Sequence, residues 1–289
     1  MKNGKGLKKL IRGALREDIG KGDITFDVLF EEDFTVTAIL VAKEEAVLCG
    51  LDVFREVFLC LSENCSFSFG FKDGDMLPSN VTVGKIKCSL KTMMAAERTA
   101  LNFLQRLSGI ATETRRFVER AGRLNVYDTR KTTPLFRDLE KYAVKTGGGI
   151  NHRFGLYDMV LIKDNHIYAA MQYNRESDRA KAISEIVGKA KSKVKGRYMV
   201  EVEVENFREA REAFIAGADI IMFDNADVAE LKKFVEFLGP ERKKIEIEWS
   251  GNVTLKNVGG IKNLPVDRVS VGALTHSAGS VDFSLKLKG

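Results

Sequence analysis

Cationic side chains follow short apolar segments in the second half of the sequence, at positions where a strand would end. The apolar run Met159–Ile162 is followed at once by Lys163, and an earlier segment ends in Arg130-Lys131. His152 and Arg153 come after three consecutive glycines and add two further donors. Arginine offers a planar fork and lysine a compact charge, and both bind carboxylates and phosphates. These residues therefore predict a pocket for a small anion.

Polar positions recur at regular intervals near the ends of the later apolar segments. Glu203, Asp224, Ser250 and Gly272 are separated by 21, 26 and 22 residues, which is the length of one strand and one helix. Repeated units of this kind form a parallel sheet, and the residues at the carboxyl ends of its strands meet at one face. The spacing predicts one site to which several strands contribute.

Two carboxylates in an otherwise cationic pocket suit ribose hydroxyls or a Mg²⁺ ion. Magnesium takes one or two carboxylates together with oxygens of a substrate phosphate. Glu203 and Asp224 are the candidates for this role. Glu201 and Glu205 have the same strand parity as Glu203, so periodicity alone does not choose among the three.

Two glycine-containing turns, SGN and VGA, follow the last two apolar segments. The loops after the final strands of an α/β barrel often present backbone N–H groups to a phosphate. The sequence contains no GxGxxG motif opening a helix and no GxxxxGK[ST] motif, so Rossmann and P-loop chemistry are not supported. The turns predict a phosphate site formed by Ser250, Gly251, Asn252 and Gly272.

Two patterns divide the chain into different kinds of structure. From about Phe34 to Lys91, short alternating segments with turns and one helix indicate an α+β sandwich. A long helical pattern follows, with a junction near Gly109. From about Asn125, apolar strands alternate with helices and favour an α/β barrel. Six strands are legible, in the segments NVYDTRK, MVLIKDN, YMVEVEVEN, ADIIMFDN, KIEIEWSGN and DRVSVGA.

The composition fits a globular protein of one or two domains. Of the 289 residues, 44% are hydrophobic and 30% are charged. No apolar run approaches the ~20 residues that span a bilayer, and no signal-peptide pattern is present, so a cytoplasmic protein is expected. Four cysteines without a CxxC spacing predict free thiols rather than zinc. The net charge of +6 is dispersed, and an anionic substrate explains it at least as well as nucleic acid.

Longer motifs make the chain resemble the quinolinate phosphoribosyltransferase family. The resemblance implies transfer of phosphoribosyl from phosphoribosyl pyrophosphate to the ring nitrogen of quinolinate, with decarboxylation to nicotinate mononucleotide, in NAD biosynthesis. It also implies Mg²⁺ as the cofactor. The motifs keep their order across nearly the whole chain: REDIGKGDIT at 16–25, AERTALNFLQRLSGIAT at 96–112, DTRKTTP at 128–134, EKYAVKTGGGINHRFGLYDMVLIKDNHI at 140–167, EVEVEN at 201–206, SGNV at 250–253 and VGALTH at 271–276.

The resemblance also implies a role for each candidate residue. Lys131 is expected near the reaction centre. Glu203 and Asp224 are expected to face the ribose and the metal, and the 21-residue interval to Asp224 selects Glu203 over its neighbours. The quinolinate carboxylates are expected to contact Arg130, His152, Arg153 and Lys163. The 5′-phosphate is expected to contact Ser250, Gly251, Asn252 and Gly272.

For the fold, the resemblance implies an N-terminal α/β sandwich over residues 1–110, joined by residues 275–289, and an incomplete α/β barrel over 111–274 that carries the site. It implies a homodimer in which Arg98 reaches quinolinate across the interface. In one departure, Leu135-Phe136 stand where the family commonly has a glycine after DTRKTTP. The loop after Lys131 is therefore expected to differ locally.

Two alternative functions remain open at this point. A diverged paralogue found with molybdate-transport genes keeps the fold and takes another base, but the complete cationic set argues against it. A basic nucleic-acid-binding protein that retains the scaffold would bind with a steep salt dependence and show no turnover. The dispersed charge argues against that alternative.

Overall fold

The alternating segments of the N-terminal third form an antiparallel sheet of four strands. The computed structural model describes residues 4–288. The four strands are β1 (Thr35–Ala42), β3 (Ser66–Phe69), β5 (Val81–Ser89) and the C-terminal β12 (Phe283–Leu287). Their order across the sheet is β12-β1-β5-β3. A separate pair, β2 (Ala46–Val47) and β4 (Met76–Leu77), is also antiparallel.

Helices complete this part of the chain, and aromatic side chains join them to the sheet. Phe67 and Phe69 alternate onto one face of β3, where their rings lie 5.9 Å from Phe58 and 6.3 Å from Phe54 respectively. Such edge-to-face pairs add to the gain from burying apolar area. The helices are α1 (Gly4–Ile19), α2 (Ile24–Leu29), α3 (Leu51–Leu59), α4 (Leu90–Ala121) and α5 (Arg137–Thr146).

The chain divides into two compact units, and the first includes a segment from the middle of the sequence. This unit comprises the residues up to Arg115, residues 132–148 and the residues from Leu274 onward. The middle segment contains α5 and was assigned by the sequence to the barrel. In the structure the Tyr142 hydroxyl donates to Asp73 Oδ2 at 2.8 Å. The buried Glu140 lies 2.8 Å from Arg106, which explains why the segment packs with the first unit.

The second unit, residues 116–131 and 149–273, contains a parallel sheet of six strands. They are the six strands predicted, and the α/β fold class is confirmed. Tyr127, in the strand at one edge of this sheet, forms a parallel bridge with Ile150. The order is β7 (Val160–Ile162), β8 (Val200–Val204), β9 (Ile220–Asp224), β10 (Glu246–Ser250), β11 (Arg268–Ser270) and β6 (Asn125–Tyr127).

Helices follow the barrel strands, as the βα repeat predicts. Side chains of Asn206 and Asp227 cap two of them by accepting backbone N–H groups at 3.1 and 2.8 Å. The predicted helix in TLKNVGGIKNL is only four residues long and contains two glycines, which are poor helix formers. The helices are α6 (Asp164–Asn174), α7 (Arg179–Val194), α8 (Phe207–Ile215), α9 (Val228–Leu238), α10 (Val258–Ile261) and α11 (Ala273–His276), with a 3₁₀ turn at Gly239–Lys244.

None of the helices within residues 4–288 is both long enough and apolar enough to cross a membrane.

Candidate functional site

A cavity of about 330 Å³ in the second unit gathers most of the predicted site residues. It lies at the carboxyl ends of the barrel strands, where α/β barrels place their sites. Thr129, Leu161, Met222 and Ser270 complete its lining. The predicted residues in the lining are Arg130, Lys131, His152, Arg153, Lys163, Glu203, Asp224 and Ser250.

A larger cavity of about 880 Å³ lies at the opposite ends of the same strands. Its arginines already have partners in the protein. Arg123 donates to the Val266 carbonyl oxygen at 3.1 Å, and Arg242 lies 2.8 Å from Asp267. Such pairs join the loops at the base of the barrel and leave little free charge for a ligand. The chemistry is therefore assigned to the smaller cavity.

The strand β8 shows how alternation and register separate similar residues. Glu201 and Glu203 point to the same side of the strand, and their register partners are Ile220 and Met222 of β9. Glu203 lines the cavity, whereas Glu201 is fully buried one step nearer the start of the strand. Glu205 lies beyond the end of β8, exposed and 3.4 Å from Arg179. The structure thus places Glu203, and neither of its neighbours, among the cavity-lining residues.

Lys163 directly follows β7 and contacts Glu203 across the cavity. The ammonium of Lys163 donates to Glu203 Oε1. The Lys163 side chain is 45% exposed and that of Glu203 is 9% exposed, so the lysine has room to move and the glutamate has little. Both residues are predicted substrate ligands, and the structure pairs them with each other.

Arg153 is a buried cation at this site. Its guanidinium donates to the Met159 carbonyl oxygen at 3.2 Å. Burial lowers the pKa of Arg153, and the positive charge of Arg130 lowers it further. Two guanidinium groups that disfavour each other in this way are stabilised when an anion binds between them. This arrangement suits a carboxylate ligand.

His152 is held by hydrogen bonds of its backbone N–H and of its ring Nδ1. Its backbone N–H donates to Asp128 Oδ1 at 2.8 Å, and its ring Nδ1 accepts from the backbone N–H of Arg153 at 2.8 Å. Its ring Nε2 lies 3.1 Å from Glu201 Oε2. The sequence did not single out Asp128, although it is the first residue of the DTRKTTP motif.

A cluster of charged residues fills the barrel interior below the cavity. Arg268 Nε lies 2.6 Å from Glu248 Oε2, and Arg268 Nη2 lies 3.5 Å from Glu201 Oε2. Ser270 donates to Glu248 Oε1. Burial raises the pKa of Glu248 to about 7, the charge of Glu201 adds to the rise, and Arg268 acts against it. Burial likewise raises the pKa of Glu201 to about 7.

The sequence did not single out Glu248, Arg268 or Ser270. A signal was present, because β10 reads EIEWS and repeats the alternation of carboxylates seen in EVEVE of β8. Two strands that each place glutamates at alternate positions in a parallel sheet direct carboxylates to the same side. A buried arginine on an adjacent strand is then the expected counter-charge.

Two groups of residues were compared as metal sites. Ligand atoms of His152, Glu201 and Glu248 lie within 4.8 Å of one another. This trio does not fit a metal ion, because the Arg268 guanidinium already supplies the cation beside both carboxylates. Glu203 and Asp224 line the cavity, and the cation beside Glu203 is Lys163, whose side chain is 45% exposed and so can move away. Two carboxylates of this kind, together with substrate phosphate oxygens, are ligands that Mg²⁺ takes.

The turn after β10 has the backbone shape that its sequence predicts. Gly251 has φ of 92° and Asn252 has φ of 49°, both in the left-handed region. A side chain at Gly251 would collide with Asn225, whose backbone N–H donates to the Ser250 carbonyl oxygen at 3.1 Å. The Asn252 side chain donates to Asn225 Oδ1 at 3.0 Å. The loops after β9 and β10 are therefore held together.

Four predicted residues are not among those that line the cavity. Gly251 and Asn252 directly follow Ser250, and Gly272 comes two residues after β11, so all three lie in loops after the final strands. Arg98 lies on α4 in the first unit, with an exposed side chain. No sequence pattern marks Arg98 as functional, and its predicted role rests on the family resemblance.

Comparisons with known proteins agree with the motifs. The family model described as quinolinate phosphoribosyl transferase, N-terminal domain, matches residues 23–108. The corresponding C-terminal domain model matches residues 110–286. Together the two models cover most of the chain.

Similar sequences and solved structures give the same result. The chain is 42% identical to a probable nicotinate-nucleotide pyrophosphorylase [carboxylating] of Bacillus subtilis, with 96% of this chain and 92% of the relative covered. It is 38% identical to a protein of the same description from Methanocaldococcus jannaschii, with 96% of each chain covered. The crystal structure of NadC from Streptococcus pyogenes superposes with a TM-score of 0.88 at 42% identity, covering 98% of this chain and 96% of that one. The chain belongs to the quinolinate phosphoribosyltransferase family.

Proposed function

We propose that this chain transfers the phosphoribosyl group of phosphoribosyl pyrophosphate to the ring nitrogen of quinolinate. The products are nicotinate mononucleotide, pyrophosphate and CO₂, and the reaction belongs to de novo NAD biosynthesis. Family membership supports the activity. The observation that carries the proposal is the placement of four cations around one cavity, which suits a dicarboxylate: Arg130, Lys131, Arg153 and Lys163.

Quinolinate carries two adjacent carboxylates, and the cavity offers a matching set of donors. Arg130 and Arg153 bind carboxylates through their forked guanidinium groups. Lys163 adds an ammonium group that is mobile enough to leave Glu203 for the substrate, since nearly half of its side chain is exposed. His152 stands beside Arg153 in the cavity wall.

When Lys163 binds quinolinate, the carboxylate of Glu203 becomes available to phosphoribosyl pyrophosphate. Glu203 and Asp224 then face the ribose, where positive charge develops as the bond to pyrophosphate breaks. The same two carboxylates would hold Mg²⁺. Held there, Mg²⁺ would supply positive charge to offset the charge on the departing pyrophosphate.

The 5′-phosphate binds at the loops after β10 and β11. Ser250 lines the cavity, and Gly251 allows the backbone to turn close to Asn225. Backbone N–H groups in such left-handed turns form concave sites for anions. The residues assigned to this site are Ser250, Gly251, Asn252 and Gly272.

The reaction proceeds in two stages. The pyridine nitrogen attacks the anomeric carbon as the bond to pyrophosphate breaks, and the protein acts mainly by positioning the two substrates. The ring nitrogen is then cationic and stabilises the electron pair left at C2 when the carboxyl group departs as CO₂. A proton then adds to C2. Lys131, in the cavity lining, lies near the reaction centre in this assignment.

The proposal includes a cytoplasmic homodimer in which Arg98 of one protomer completes the site of its partner. Exposed apolar side chains on α2 support an association surface on the first unit, since Ile24, Val28 and Leu29 are 80%, 76% and 65% exposed. The exposed Arg98 side chain is available to a second protomer. The four free cysteines fit a reducing compartment.

Turnover tests the activity. Wild-type protein with quinolinate, phosphoribosyl pyrophosphate and Mg²⁺ is expected to yield nicotinate mononucleotide and CO₂, and Lys131→Ala to yield much less. Lys232→Ala, which changes a lysine outside the cavity lining, is the matched control and is expected to retain activity. A folded wild type that makes no product from quinolinate but reacts with another base would instead indicate the paralogue.

Mixing two inactive variants tests the shared site. Arg98→Ala removes the residue that one protomer contributes to its partner's site. Lys163→Ala removes a residue that each barrel contributes to its own site. Each homodimer is therefore expected to be inactive. A mixed dimer has one site with neither change, and random mixing should restore about one quarter of wild-type activity. Mixtures that stay inactive after verified subunit exchange would exclude a contribution of Arg98 across the interface.

A further inference from the structure

The interior of the barrel contains charged residues where apolar side chains are usual. Glu201, Glu248 and Arg268 lie below the cavity, and each is at most 6% exposed. None of them has a role in the reaction proposed above. Burying charged side chains is unfavourable unless their charges compensate one another. The presence of these three residues therefore indicates a role other than stabilising the fold.

The contacts of His152 connect this interior group to the substrate pocket. Ring Nδ1 accepts the backbone N–H of Arg153, so Nδ1 carries no hydrogen in this arrangement. The hydrogen of the neutral ring is then on Nε2, which faces Glu201 Oε2 at 3.1 Å and Glu248 Oε2 at 3.8 Å. The ring therefore links buried carboxylates on one side to the backbone of a substrate-binding arginine on the other.

Arg268 lies beside the two carboxylates that face the His152 ring. Its guanidinium lies 2.6 Å from Glu248 and 3.5 Å from Glu201, and it also stands 4.8 Å from the centre of the Tyr127 ring. Without Arg268, the two carboxylates would lose the guanidinium that holds them beside Nε2. A ring whose hydrogen moved to Nδ1 could not accept the Arg153 N–H, and the backbone at 152–153 would have to move.

We propose that Arg268 is a positioning residue that acts through Glu248 and Glu201 on His152. It holds the two carboxylates beside Nε2, which keeps the ring hydrogen on Nε2 and so fixes the backbone from which Arg153 enters the anion pocket. The kinetic part of this inference rests on the proposed function, and the spectroscopic part does not.

The first experiment measures the wild-type protein by NMR with nitrogen-labelled histidine. The chain has three histidines, and His166→Asn and His276→Asn identify the signals of His152 by elimination. At neutral pH, His152 is expected to show one protonated and one unprotonated ring nitrogen, with the hydrogen on Nε2. A hydrogen on Nδ1, or a doubly protonated ring, would overturn the proposal whether or not the protein has the proposed activity.

The second experiment compares substitutions at two arginines of the same unit. Arg268→Met is expected to raise the KM for quinolinate about tenfold or more and to change the KM for phosphoribosyl pyrophosphate less than about threefold. It should also alter the His152 nitrogen signals. Arg268→Lys keeps the charge and is expected to recover most of the quinolinate affinity and the wild-type signals.

Arg242→Met is the matched control. Like Arg268, Arg242 pairs with a carboxylate in the second unit, but this pair, with Asp267, lies at the base of the barrel. It is expected to lower stability without changing either KM or the His152 signals. A folded Arg268→Met protein with wild-type quinolinate KM and wild-type His152 signals would overturn the proposal. If that variant does not fold, Arg268→Lys and the wild-type tautomer still decide the question.

Discussion

Two layers of the barrel carry similar residue types but use them differently. The upper layer, defined here as Lys163, Glu203 and Asp224, faces the cavity. The lower layer, defined as Glu201, Glu248 and Arg268, is buried beneath it. In the upper layer an exposed lysine contacts a carboxylate that it can exchange for substrate. In the lower layer the charges compensate one another. Access to solvent thus separates residues that bind from residues that position.

The largest effect is expected from breaking the upper layer. Lys163→Met removes a cation that is proposed to contact substrate. It should lower kcat/KM for quinolinate by about 10²–10³-fold, because a substrate carboxylate that loses its charged partner on binding loses a few kcal/mol. The melting temperature should change little, since the side chain is 45% exposed. Steady-state kinetics and thermal unfolding measure the two effects. Wild-type kinetics in this variant would remove Lys163 from the pocket.

A substitution in the lower layer should reduce stability more than a substitution in the upper layer does. Arg268→Met leaves two buried carboxylates without their cation and is expected to lower the free energy of unfolding by about 3–5 kcal/mol. Denaturant unfolding of this variant and of Lys163→Met gives the comparison directly. Equal losses of stability in the two variants would mean that the two layers do not differ as described.

The pH dependence of stability sharpens the same contrast. Burial raises the pKa of Glu248 to about 7 in the folded protein, whereas an ordinary glutamate titrates near 4.5. Between these values the folded state binds more protons than the unfolded state, so this group makes the free energy of unfolding fall as pH rises. Its contribution is fully present below about pH 4.5 and is lost as pH rises through about 7.

Glu248→Gln should remove this part of the slope. Unfolding of the wild type and the variant is to be measured at several pH values between 4.5 and 8, and the difference between the two curves should shrink or change sign over that range. Asp178→Asn, at the N-cap of α7, is the control and should leave the slope above pH 5 unchanged, because the pKa of Asp178 is lowered. Parallel curves for Glu248→Gln would show that the buried carboxyl does not titrate there.

The sequence predicted the upper layer well because its signals are local. Lys163 follows an apolar run, and parity within one strand brings Glu203 to the same side as Glu201. How deep a side chain lies in the barrel cannot be predicted from local signals, because it depends on the register with neighbouring strands. Glu248, for example, lies opposite Arg268. Arg98 carries no local signal at all. The association of residues 132–148 with the first unit depends on contacts such as Tyr142 with Asp73, which are distant in sequence.

The smallest effect concerns the loop that follows Lys131, outside both layers. Leu135 directly follows the DTRKTTP motif, and its φ of 65° is in the left-handed region that glycine adopts without steric cost. Its side chain is 92% exposed, so little apolar burial is lost on its removal. Leu135→Gly should therefore raise the free energy of unfolding by about 1 kcal/mol or less, because relief of backbone strain outweighs the added freedom of the unfolded chain.

Ile215→Gly provides the control for this change, because Ile215 is also exposed but ends α8, and glycine is unfavourable in a helix by about 1 kcal/mol. Denaturant unfolding should thus show changes of opposite sign in the two variants. Both should keep wild-type kinetics, since neither side chain belongs to the upper or the lower layer. A loss of stability in Leu135→Gly similar to that in Ile215→Gly would show that the left-handed backbone at Leu135 carries no appreciable strain.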